Sequence, residues 1–128
     1  MNYPLVTITI NNSIAFADKP LCFFIGDKGA VMTFKVVNPQ YKLTKADEDD
    51  YLVSTGATKY KIAMTSKTQR IDGVMKSISN KQLSITATAS MTNAAQVFDF
   101  QITLFDDNES VIMSLPVVKA GVIVKEKI

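Results

Sequence analysis

The sequence predicts an all-β domain, and three observations carry that expectation. Apolar residues recur at every second position in one segment after another, the spacing of side chains on one face of a strand. Clusters of turn-forming residues separate these segments. No window has the apolar spacing of a long amphipathic helix. The chain has 128 residues, enough for one domain and too few for two independent cores. We therefore expect a single domain over residues 1–124, with 125–128 a tail or the start of a linker. At 47% hydrophobic, the chain can build a core without metal or disulfide staples.

Taken in order, Val6, Ile8 and Ile10 alternate with Thr7 and Thr9. Met32, Phe34 and Val36 share one face, with Thr33 and Lys35 on the other, and Phe34 is expected to anchor the core. From Asn38 to Ser54 the alternation stops. Pro39 opens the segment, Thr44-Lys-Ala-Asp47 resembles a weak helix start, and Asp47, Glu48, Asp49 and Asp50 follow. A long surface excursion with one or two helical turns is expected there. Alternation resumes with Tyr60, Ile62 and Met64, then with Leu83, Ile85, Ala87 and Ala89. Residues 91–95 read as a shorter surface connection.

Phe98, Phe100, Ile102 and Leu104 line one face of the next strand, and Asp106-Asp107-Asn108-Glu109 ends it. Val111, Met113, Leu115 and Val117 follow on one face of a further strand. A hairpin with a four-residue loop would put Leu104 opposite Val111 and Phe100 opposite Leu115. Pro116, lacking an N–H, implies an edge or a bend. Residues 122–128 read as a last strand running into a tail. Some seven or eight short strands with irregular joins indicate an antiparallel two-sheet β-sandwich, immunoglobulin-like or jelly-roll-like, with one long irregular connection. A barrel is the alternative.

The inventory of reactive groups is short. The chain has no His, which removes the commonest general base and metal ligand. Cys22, flanked by Leu21 and Phe23, reads as a buried small hydrophobe, and a single cysteine closes no internal disulfide. No phosphate-binding loop, dinucleotide fingerprint or Gly-x-Ser-x-Gly elbow occurs. Paired carboxylates could in principle hydrolyse glycosides, with Asp47–Asp50 and Asp106, Asp107 and Glu109 as suppliers. Both clusters sit in very polar sequence, however, which suits solvated loops better than a cleft that splits two pKa values. The acidic run at 47–50 is also the one candidate for calcium, but it lacks EF-hand spacing. Lys59, Lys61, Lys76 and Lys81 read as a solvated sheet face. A net charge of +2 gives no broad field for nucleic acid or an anionic membrane. The start lacks the basic region of a secretory signal. No enzyme activity, cofactor or metal is expected.

One segment says more. Phe24-Ile-Gly-Asp-Lys-Gly-Ala-Val-Met-Thr-Phe-Lys-Val36 resembles the N-terminal module of upper baseplate proteins of siphophages that infect Gram-positive bacteria. In that family an aromatic residue and a short Asp-Lys loop lead into an alternating strand. Ser54-Thr-Gly-Ala-Thr-Lys-Tyr-Lys-Ile62 is similar to the family's Leu-Thr-Gly-Ala turn, with Ser54 in the apolar position. The order of the closing strands also agrees, so the resemblance runs from about Tyr3 to Val124. Residues 39–53 form an insertion relative to the family, and a glycine usual before the penultimate strand is missing near Ala94-Ala95.

The resemblance implies a structural role in the phage tail, assembled in the host cytoplasm and retained in the virion. Such modules pack on a tail hub and on one another, and help present receptor-binding proteins. Partners would be other baseplate proteins and further copies of the chain, with no nucleic acid, membrane or small-molecule substrate. Candidate interface residues are Pro116, Val122, Ile123 and Val124. The alternative is a module that itself binds host polysaccharide or protein, using Tyr41 and Tyr51.

Overall fold

The computed structural model describes residues 5–42 and 51–128. Over these residues it is all-β, apart from two short helical segments. The elements are β1 (Val6–Asn11), β2 (Ile14–Ala17), β3 (Leu21–Phe24), β4 (Val31–Val37), α1 (Pro39–Lys42) and α2 (Tyr51–Ser54). They continue with β5 (Lys59–Thr65), β6 (Arg70–Asp72), β7 (Lys76–Ser77), β8 (Gln82–Thr86), β9 (Gln96–Phe105), β10 (Val111–Ser114) and β11 (Val118–Lys125). The expected helical turns are α1 and α2. The acidic run 47–50 lies outside the described residues.

Hydrogen bonding joins the strands into one curled open sheet, ordered β6-β5-β9-β11-β2-β1-β4-β8. The ladders do not separate into two sheets. Pairing is mixed: β1 lies parallel to β4, and β11 is parallel to both β2 and β3. Parallel neighbours need crossovers, which a run of simple hairpins does not supply.

Alternation selects the inner face as expected. Val6, Ile8 and Ile10 on β1, Phe34 and Val36 on β4, and Tyr60, Ile62 and Met64 on β5 are all buried. So are Leu83 and Ile85 on β8, Ala87 just beyond it, and the set Phe98, Phe100, Ile102 and Leu104 on β9. Ala89, expected on the same face as Leu83, is exposed because β8 ends at Thr86 and the chain turns there. Curling brings distant strands face to face, so that the Phe34 and Phe100 rings meet at 5.7 Å between centroids. That separation is within the range of favourable tilted aromatic pairs.

The hairpin register differs from the expected one. Val111 stands opposite Phe105, then Met113 opposite Leu104 and Ser114 opposite Thr103. Two causes add. Asp106 Oδ1 accepts the N–H groups of Asn108 and Ser110, and Asp106 N–H donates to Ser110 O, so the loop runs one residue longer than the acidic cluster suggests. A bulge between Val111 and Met113 then moves the ladder again. Leu115 N–H therefore reaches Ile102 O, and Phe100 stands opposite Val118 of β11. Val111 and Met113 are exposed and do not share the burial of Leu115. Pro116 lies in the three-residue gap between β10 and β11, which follow one another along β9.

Two other expectations need correction. Met91 and Thr92 are buried, so residues 91–95 form no simple surface connection. The Thr92 hydroxyl donates to Asp27 O at 2.7 Å and ties that connection to the turn after β3. Cys22 is half-buried, because its position on β3 points away from the core while Leu21 and Phe23 point in.

Candidate interaction surface

Between β2 and β3 the chain turns at Asp18, whose N–H donates to Thr7 O and whose Oδ1 accepts Thr7 N–H. The two short strands then lie one after the other along the same edge of β11. Ala15 stands opposite Val118, and Leu21 to Phe24 stand opposite Val122 to Lys125. On its other edge β11 runs antiparallel to β9, with Val97 opposite Ile123. Ala15, Leu21, Phe23, Phe98, Val122 and Val124 face inward and are buried.

The period of two sends their neighbours outward, and these are apolar too. Ile14 and Phe16 on β2 are exposed at 56% and 48%, Phe24 on β3 at 42%, and Val97 on β9 at 49%. The registers align Cys22, Ile123 and Val97 in one row across three strands. Val117, just before β11, is also exposed. The result is an apolar stripe along the outer face of β2, β3, β11 and β9. Charge borders and divides it: Lys125 is opposite Phe24, and Lys119 Nζ lies 3.7 Å from Asp99 Oδ2 between the Ile14–Phe16 end and the Cys22–Ile123–Val97 row. Asp99 also accepts Ala120 N–H at 2.8 Å, which caps the bulge in β11. Exposed apolar residues gathered on one face mark contact sites more often than a scatter of single residues does.

Of the four interface residues expected from sequence, Ile123 is on this stripe and half-buried. Pro116 is half-buried between β10 and β11. Val122 and Val124 are 0% and 2% exposed, because β11 is paired on both edges and their side chains enter the core. They present no surface to a partner. Ile14, Phe16, Phe24 and Val97, exposed on the same face, were not among the expected residues. Each reads in sequence as one more apolar residue in a strand, and only the pairing of β11 with both β2 and β3 brings them together.

The turn singled out in the sequence is well built. Phe24 N–H donates to Asp27 Oδ2 at 2.9 Å, and Asp27 N–H returns to Phe24 O. Gly26 and Gly29 have φ of 90° and 85°, which L side chains rarely adopt. The second motif also forms a turn, in which the Thr55 hydroxyl donates to Leu52 O and accepts Ala57 N–H.

The four lysines do not form one patch. Lys59 and Lys61 lie on the outer face of β5, with Lys61 Nζ 5.7 Å from the Phe105 ring centroid, whereas Lys76 Nζ reaches Ser84 O on β8. Tyr51 packs half-buried against the core, and the side chain of Tyr41 lies outside the described residues. Among the described residues no cluster of three or more Asp, Glu or Cys could hold a metal. No helix among them is long and apolar enough to cross a membrane. No known family model matches the chain, and neither does any curated protein.

Proposed function

We propose that this chain is a structural component of a phage tail baseplate, a module that packs on the tail hub and on further copies of itself. One observation carries the reading: the apolar stripe over β2, β3, β11 and β9, which a domain acting alone in water has no reason to keep. The Asp27-Lys28 turn and the Thr55-Gly56 turn support it, being the motifs the family resemblance rests on. We read the curled sheet as a variant of the two-layer sandwich, with β4 and β9 as facing walls, supported by the Phe34–Phe100 contact. In this role affinity comes from repeated contacts in closed symmetry, each of modest size.

Mass measurement by sedimentation, with and without the tail hub protein, tests the proposal. The chain should form a homo-oligomer alone or assemble on the hub. Phe16→Ser combined with Ile123→Thr should weaken that assembly at least about tenfold, as loss of central interface anchors does, with unchanged thermal melting. Tight binding of cell-wall saccharide by a monomer, unaffected by these substitutions, would replace this reading with the surface-binding one.

A further inference from the structure

The two ends of the strand order, β8 at one and β6 with β7 beside β5 at the other, line a cavity of about 420 Å3. Its wall includes Ile62, Met64, Ile71, Ile85 and Met91, and Lys76 and Thr86 stand among the polar groups lining it. A pocket in this size range, mostly apolar with a few converging polar groups, is the usual form of a small-molecule site. At roughly 30 Å3 per water-sized group, it holds about a dozen non-hydrogen atoms.

The edge of β8 indicates what kind of ligand fits. Ser84 and Thr86 turn their backbone N–H and C=O away from β4. Ser84 N–H donates to the Tyr60 hydroxyl at 2.9 Å, and Lys76 Nζ donates to Ser84 O at 3.3 Å. Gln82 is paired with Ser79. Side chains and a turn thus occupy the places a strand partner would take, leaving only Thr86 for an added chain. One residue is too little for a hydrogen-bonded ladder, so the site favours a small molecule over a peptide strand.

Charge narrows the choice. Lys76 Nζ has three donors, and its contacts are Ser84 O and the Thr86 hydroxyl at 3.4 Å. No carboxylate pairs with it among the described residues. Asp72, the acid that lines the same cavity, is held by Arg70 Nη2 at 2.9 Å. Lys76 is therefore the one cation lining an apolar chamber, and among the described residues no carboxylate pairs with it. We propose that it binds a small amphiphilic carboxylate, with the head on Lys76 and an alkyl body against Met64, Ile85 and Met91.

Decanoate and decyltrimethylammonium below their micelle concentrations, and decanol below its solubility limit, are the probes. Titration by calorimetry should show saturable one-to-one binding of decanoate, tighter than decanol, with the cationic head weakest. Lys76→Gln should weaken decanoate about tenfold, the loss of one charge-assisted hydrogen bond, and leave decanol unchanged. In the unaltered protein, the methyl resonances of Met64 and Met91 should shift with decanoate while that of Met113 stays still. The proposal fails if decanoate does not saturate, if the three heads bind equally, or if the Met64 and Met91 signals do not move.

Discussion

Gly121 illustrates how much one residue can carry in this fold. It lies in β11 where the bulge brings the backbone against β9, and a Cβ there would stand 2.3 Å from the Phe100 ring. Gly121→Ala should therefore force Phe100 or the strand aside and cost about 1–3 kcal/mol, as overpacking does. The denaturant midpoint should fall with an unchanged slope. Phe34, fully buried against Phe100, gives a second test: Phe34→Ala should cost about 3–5 kcal/mol, measured the same way. The two residues differ in how openly the sequence announces them. Phe34 could be placed inward from Met32 and Val36 alone, because its reason is local. Gly121 reads as ordinary punctuation, because its reason is a ring on another strand. Cys22 was misplaced for a related cause: apolar neighbours on both sides hide which face a residue takes.

At the scale of elements, β11 holds the sheet together. It bonds β9 on one edge and both β2 and β3 on the other. Removing the residues after Gly121 takes away Val122 and Val124 with their ladders on both sides. The truncated chain should lose its cooperative melting transition, not merely its ability to assemble, and circular dichroism during heating checks this. A native-like transition in the shortened protein would show that β11 is not central. The β9–β10 hairpin yields a finer test. Leu115 N–H, buried and bonded to Ile102 O, should exchange with deuterium as slowly as the amides within the core strands, and rapid exchange would show the bond is not kept in solution. Alternation sufficed to locate most of these strands. The register was lost because Asp106 uses its side chain to lengthen the loop, and because a bulge leaves no mark on the apolar pattern. The parallel partners of β11 were illegible for a different reason, since β2 and β3 are each only four residues long.

For the whole molecule, the all-β class followed from periodicity, whereas the curl depends on which distant strands become neighbours. The outer stripe has the same origin. Its residues are dispersed along the chain and become one surface only after β11 is seated, so they could be listed from sequence but not assembled. Substituting Ile14 and Val97 together with Ser should leave the melting temperature nearly unchanged, as expected for surface positions, while shifting sedimentation towards smaller species. The seating of β11 also bears on how the protein is made. Leu21 waits for Val122 and Phe23 for Val124, partners about a hundred residues downstream. Until residue 125 has left the ribosome, β2 and β3 have no neighbour on that edge, and Leu21 and Phe23, buried in the finished fold, stay open to other nascent chains. Closure over such sequence distances belongs to the millisecond-to-second regime of non-local β topologies. Synthesis of this small domain should therefore depend on holding chaperones more than its size suggests, and slow release at low temperature should raise the soluble yield.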